Sequence, residues 1–201
     1  MEAIELIKPM RSCPDVLDCI AEDHESMRSV LSRLQSPDLE VSRKRAIFKR
    51  FLPLYQAHSH AEELSIMEEG LQHDSLRPIV LDGLEAHEVG DILLERIRLA
   101  VDNEQWVARV NSFCTLLDHH LKEEQDHTIP ALRQALSDEQ REALGRRYLD
   151  SRNHHRVLPS LELAPRPSSI LYDQTGKVGY LIAWLLGVPA WILLLVFLVR
   201  G

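Results

Sequence analysis

The sequence predicts an all-α protein: an up-and-down four-helix bundle, a short fifth helix and a C-terminal transmembrane helix. Three observations lead there. Apolar residues recur at helical spacing through four long segments, and each segment carries a histidine in the register of its apolar stripe. Two of the segments add a glutamate four residues after that histidine. Finally, the 22 residues from Val178 to Val199 include no charge.

In chain order, Ser12-Cys13-Pro14-Asp15 reads as a helix start, with an oxygen-bearing cap and Pro and Asp in the first turn. The first helix runs to about Gln35 with the stripe Leu17, Ile20, His24, Met27, Leu31. Ser36-Pro37-Asp38 begins a second, long helix that ends near Gly70, with Ile47, Phe51, Leu54, His58 and Glu62 on one face. Pro53 falls inside it and is expected to loosen or kink it. Its basic residues Arg43, Lys44, Arg45, Lys49 and Arg50 read as a solvated face. After the polar turn at Gln72-His73-Asp74-Ser75, Arg77-Pro78 opens a third helix through about Val101, with Leu84, His87, Asp91 and Leu94 in register. Asp102-Asn103 connects to a fourth, ending around Pro130 or shortly after, whose stripe is Val110, Phe113, Leu117, His120, Glu124, His127. Ser137-Asp138-Glu139-Gln140 has capping-box spacing and starts the short fifth helix, to about Asp150. Residues 151–177 read as a linker, with His154 and His155 near its start as exposed histidines.

At about 1.5 Å per residue, the uncharged run 178–199 matches a hydrocarbon core of roughly 30 Å. Lys177 and Arg200 bracket it, and Tyr180 and Trp184 suit an interface. Pro189 within it is tolerated by a membrane helix. The expectation is a tail anchor, with the helical domain facing the cytoplasm. The N-terminus is acidic and lacks the long apolar run of a signal peptide. A net charge of −8 over 201 residues excludes nucleic acid as the main partner. Cys13, Cys19 and Cys114 show no Cys-x-x-Cys spacing, and an odd number rules out a fully paired framework. They read as small core or surface residues in a reducing compartment.

The stripes carry the chemistry. Where Leu, Ile and Val normally continue, the core-facing line turns to imidazole and carboxylate, and a buried carboxylate without a partner is costly. A metal ion compensates it, and His with Glu one turn later can hold one centre. One such spacing means little among 10 histidines and 31 acidic residues. Two copies, plus single histidines in register on two other helices, make a metal site in a bundle core. Imidazole and carboxylate without thiolate suit iron or manganese; a closed zinc site favours cysteine.

With His24, His58-x-x-x-Glu62, His87 and His120-x-x-x-Glu124 in place, residues 12–150 resemble the hemerythrin-like HHE cation-binding family. The resemblance rests on Glu22-Asp23-His24-Glu25, on His58-Ser59-His60-Ala61-Glu62-Glu63-Leu64 and on His120 through Pro130. The proline six residues after Glu124 selects His120/Glu124 over the overlapping pair His119/Glu123, as the stripe does. The resemblance implies two non-haem irons, with His24, His58, His87 and His120 as terminal ligands and Glu62 and Glu124 bridging. Oxygen-carrying hemerythrins have a second histidine on the third helix where this chain has Asp91, which argues against reversible oxygen carriage. Asp91 is a candidate extra ligand or an acceptor for a ligand N–H; Tyr55 is a candidate ligand or hydrogen-bond donor, or a core tyrosine, and His127 either supports a ligand or is an ordinary half-buried histidine. His60, His73 and His119 lie off the stripes and are expected to face solvent.

Three functions fit. The first is an anchored diiron protein that binds or senses dioxygen, nitric oxide or peroxide at open iron positions. The second is an enzyme that degrades peroxide or reduces nitric oxide, for which no flavin or electron-transfer motif is visible, so a redox partner is implied. The third is an interaction module whose metal is structural or regulatory, with the C-terminal helix recruiting a membrane partner; a redox or signalling protein partner is compatible with any of the three.

Overall fold

The computed structural model describes residues 13–157, and every regular element within them is helical. Helix α1 (Val16–Gln35) starts a turn later than expected, because Asp15 and not Ser12 is its cap: in extended conformation, its carboxylate accepts from the Leu17 N–H at 2.8 Å. Helix α2 (Val41–Glu62) also starts later, after a turn over residues 37–39, and continues through Pro53. A π turn over Glu63–Met67 and the short α3 (Glu68–Gly70) then carry the rod to the expected end. Helix α4 spans Arg77–Arg98 with Pro78 in its first turn. Helix α5 (Asn103–Glu123) is capped by Asp102, which accepts from the Gln105 N–H at 2.7 Å. It too passes into a π turn, Glu124–Thr128, before α6 (Ile129–Ala135).

The capping box forms as the sequence suggests: the Gln140 N–H donates to Ser137 Oγ at 3.3 Å and the Ser137 N–H to Gln140 Oε1 at 2.9 Å. Helix α7 that follows is not short. It runs Asp138–Val157, past the expected linker boundary at residue 151, because Tyr148 and Arg152 give it a buried face. Arg141, near its start, donates to Asp15 Oδ2 at 2.8 Å, which ties the first turn of α7 to the cap of α1.

Cys13 and Cys19 form a disulfide, which corrects their reading as residues of a reducing compartment; Cys114 is free and buried. The chain entering α1 turns back over its first turn, so the two Cα atoms come to 5.7 Å, within bridging range. No helix among the described residues is long and apolar enough to cross a membrane. The linker beyond residue 157 and the uncharged run 178–199 lie outside the described residues.

Helix α1 packs against α2, α5 and α7, α2 also packs against α7, and α4 lies along α5. The apolar core has two clusters. One gathers Met27, Phe48, Leu54, Tyr55, Leu94, Phe113 and Leu117; the other gathers Ile20, Ala61, Val80, Ile129, Leu132 and Tyr148. Along each of α1, α2 and α4 a stripe histidine falls between a residue of one cluster and a residue of the other: His24 between Ile20 and Met27, His58 between Tyr55 and Ala61, His87 between Val80 and Leu94. On the fourth rod the crossing runs from Leu121 to Ile129, with His120 just before it and Glu124 within it. A polar layer thus separates two apolar ones.

Phe113 is fully buried, with edge-on contacts to Phe48 and Tyr55. Phe113→Ala is expected to cost about 3–5 kcal/mol in urea unfolding. Gly90→Ala tests the contact of α4 with the Tyr55 side chain of α2. Helix propensity alone favours alanine by about 1 kcal/mol, but a Cβ there collides with the Tyr55 hydroxyl. The expected result is a loss of about 1–3 kcal/mol, and a gain would mean the Tyr55 side chain is not this close.

Candidate metal centre

Four rods deliver six side chains. His24 comes from the middle of α1, His58 and Glu62 from the last turn of α2, and His87 from the middle of α4. His120 sits in the last turn of α5, and Glu124 opens the π turn that follows. None of the six is more than 7% exposed. They form two groups, His24/His58/Glu62/Glu124 and Glu62/His87/His120/Glu124, and within each group the donor atoms all lie within 4.8 Å of one another. The two carboxylates belong to both.

The distances map the sharing. Glu62 Oε2 lies 3.3 Å from His58 Nε2 and 3.4 Å from His87 Nε2, so this one oxygen stands between the groups. Glu124 Oε2 does the same, 3.2 Å from His24 Nε2 and 3.6 Å from His120 Nε2. His24 Nε2 is also 3.8 Å from Glu62 Oε1. Two donors bound at roughly 2.1 Å to a common ion are separated by up to about 4 Å. These pairs are already spaced as ligands of one ion would be.

Hydrogen bonding alone leaves the cluster incomplete. His24 Nδ1 and Nε2, His58 Nε2 and all four carboxylate oxygens of Glu62 and Glu124 are buried without a well-aligned hydrogen-bond partner. Buried polar atoms are nearly always satisfied, so this many orphans in one cluster need a common explanation. A pair of cations would supply it for six of them, His24 Nε2, His58 Nε2 and the four carboxylate oxygens, while His24 Nδ1 lies on the other edge of its ring; an all-nitrogen-and-oxygen donor set suits an ion such as iron or manganese. The residues fit the group they are expected to hold.

Electrostatics within the cluster point the same way. Burial would push the Glu62 carboxyl up, but His58, His24 and His87 around it hold it well below the usual carboxylate range. Burial works to lower His24, yet Glu124 and Glu62 raise it to about 9. His87 is likewise lowered by burial and lifted by Glu62 and Glu63, to about 10. His120 goes the other way: burial pushes it down, Glu124 only partly offsets this, and His87 adds to the depression. The carboxylates therefore demand positive charge, which protons supply unless a metal displaces them.

Behind the ligands lies a layer that the sequence reading did not find. His58 Nδ1 is 2.8 Å from the Tyr148 hydroxyl, which itself donates to Asp23 Oδ2 at 2.7 Å. Arg152 donates to both oxygens of Asp23, each at 2.6 Å. Burial would raise Asp23, but His58 and Arg152 beside it hold it at about 2. Burial and the Asp23 and Glu62 charges push the Tyr148 phenol well above its ordinary value, so it keeps its proton. On the other side, His87 Nδ1 meets Glu63 Oε1 at 3.0 Å. The signal for α7 was the spacing Arg141, Leu144, Tyr148, Arg152, an inward stripe disguised by its two arginines.

Three further candidates fare differently. Tyr55 is buried with its hydroxyl against Gly90. Asp91 is half-buried and belongs to neither donor group. His127 does not line the site: its side chain is 65% exposed, beside Glu123. The reason is the π turn, which adds a residue to the turn after Glu124, so the buried face resumes at Ile129 and passes over position 127. His119 faces solvent as expected and His73 is partly exposed beside Glu69, but His60 is half-buried with a partner of its own. His154 is exposed on α7.

Compared with protein-family models, with curated proteins and with solved structures, the chain matches none.

The raised histidines set a pH dependence for chelator-stripped protein. A group lifted from 6.5 to about 9 or 10 contributes stability that is complete below 6.5 and lost as pH rises through the folded value. Metal uptake needs bare imidazoles and strengthens over the same range. Thermal melts of the stripped chain should fall between neutral pH and about pH 10, with the stabilisation by added iron(II) growing at first. A stripped-protein melting temperature that rises over that range contradicts the assignment.

Proposed function

We propose that the chain is a membrane-anchored, non-haem diiron protein of the hemerythrin-like kind that binds or senses dioxygen, nitric oxide or peroxide. The observation that carries this reading is the pair of donor groups sharing Glu62 and Glu124. In it α1, α2, α4 and α5 form an up-and-down four-helix bundle, and residues 178–199 tether it to a bilayer. Iron is favoured over zinc because thiolate is absent from both groups, and over manganese by the family resemblance.

The chain's own residues do the following. His24 and His58 terminate one side of the site, and His87 and His120 the other. Glu62 and Glu124, placed at α/π junctions on opposite rods, span both. Two imidazoles and two shared carboxylates for each ion leave room in a six-coordinate shell. Iron bound here supplies those open positions and a change of redox state to a small ligand. The two apolar clusters exclude bulk water from above and below. The expected cytoplasmic placement sits poorly with the Cys13–Cys19 bond, since disulfides are rare in a reducing cytosol.

Metal analysis of the full chain, purified in mild detergent, tests the reading. The expected content is about two irons per chain. Glu124→Ala and His120→Ala should remove most of it, whereas His127→Ala should leave it intact; equal loss in all three rejects the site. Visible bands that appear with oxygen or azide and reverse on removal support ligand binding. Steady gas evolution from added peroxide would replace this reading with the enzymatic one.

A further inference from the structure

Helix α7 contributes no member of either donor group, yet its buried Tyr148 and Arg152 reach α2 and α1 directly behind His58. The direction of each hydrogen bond follows from what each group can do. Arg152 has only donors, and it occupies both oxygens of Asp23 at 2.6 Å. The Asp23 carboxylate only accepts, so the Tyr148 hydroxyl, 2.7 Å from Oδ2, spends its single proton there. That leaves the Tyr148 oxygen as the acceptor for whatever stands 2.8 Å away at His58 Nδ1, which must therefore hold a proton. An imidazole protonated at Nδ1 presents its lone pair at Nε2. Nε2 is the buried, unpartnered nitrogen that faces Glu62 Oε2 at 3.3 Å.

We propose that Tyr148, aimed by Asp23 and Arg152, is a positioning residue that fixes His58 in the tautomer whose Nε2 binds metal. His58 stands apart in this respect: the corresponding contact at His87 Nδ1 comes from Glu63, which is 24% exposed, whereas Asp23, Tyr148 and Arg152 are all at or below 2%. The relay makes one donor group rigid and dry on its outer side. It also explains why α7 extends beyond Asp150, since Arg152 anchors the far end of the chain of bonds.

The inference rests on the metal reading and is separable from it. The test uses the full chain in detergent, loaded with zinc(II) as a diamagnetic probe or titrated with iron(II) against a competing chelator. In nitrogen-15 spectra of the zinc-loaded chain, His58 should be bound through Nε2 with a slowly exchanging Nδ1 proton. Tyr148→Phe should speed that exchange and weaken one of the two iron sites by about 10-fold. Asp23→Ala is the sharper variant. It removes the oxygen that takes the Tyr148 proton, so the hydroxyl is free to donate to His58 Nδ1, which moves the imidazole proton to Nε2, and the same site should weaken by about 100-fold. Loss of packing alone leaves the His58 proton on Nδ1. Binding of His58 through Nδ1 in the wild-type chain, or unchanged affinity at both sites in Tyr148→Phe, overturns the proposal. If Asp23→Ala does not fold, the wild-type and Tyr148→Phe spectra decide it. Failure of the wild-type chain to take up either metal would instead sink the metal reading.

Discussion

Glu62 and Glu124 are carboxylates placed where water does not reach them, in the middle of a helical core, and the rest of the structure answers to that constraint. An isolated buried carboxylate either neutralises or finds a counter-charge. Here four imidazoles from four rods surround the pair, and the clusters above and below are made of ordinary Leu, Phe, Ile and Met. The apolar layers supply the driving force for folding, roughly 2–3 kcal/mol for each large side chain buried. The polar layer consumes part of it. A chain selected for stability alone would have continued the leucine stripe, so the layer's presence is an argument for chemistry.

Backbone geometry adapts to the same demand. Each His-x-x-x-Glu pair ends at a π turn: Glu62 is the residue before one and Glu124 the first residue of the other. A π turn lets the ligand glutamate keep its place while the helix beyond it rotates to a new face. After Glu124 the buried positions are Ile129 and Leu132, one residue out of step with a regular α-helix. Pro130 has no N–H to offer the carbonyl of Asp126, which weakens the α pattern at that turn. Helix α7 then packs against α1 and α2, and its Tyr148 and Arg152 satisfy groups on those helices that solvent would otherwise have to reach.

Much of this was legible in the sequence, for a physical reason. Helical periodicity reports which side chains share a face, so polar residues on an apolar stripe stand out, and all six members of the two donor groups were readable in that way. The helix-start signal of the Ser137/Gln140 box was readable too, with the start of α1 displaced to Asp15, whereas Asp102, read only as part of a connector, is the cap of α5. What periodicity cannot report is a change of period. His127 was placed on the stripe by counting in threes and fours across a turn that counts in fives. Nor does it flag a buried arginine, which looks like any solvated one: Arg152 was assigned to a linker because its partner, Asp23, lies 129 positions away. The Cys13–Cys19 bridge was missed because an odd cysteine count was allowed to stand for the whole set.

The central claim is geometric: two ions held side by side by shared carboxylates. X-ray absorption at the iron edge of the iron-loaded full chain examines that directly, since it reports the atoms around each iron and any second metal nearby. The account predicts a shell of nitrogen and oxygen with no sulfur, and a metal–metal distance of about 3.5–4 Å or somewhat less. Iron without a metal neighbour, or iron bound to sulfur, would contradict it.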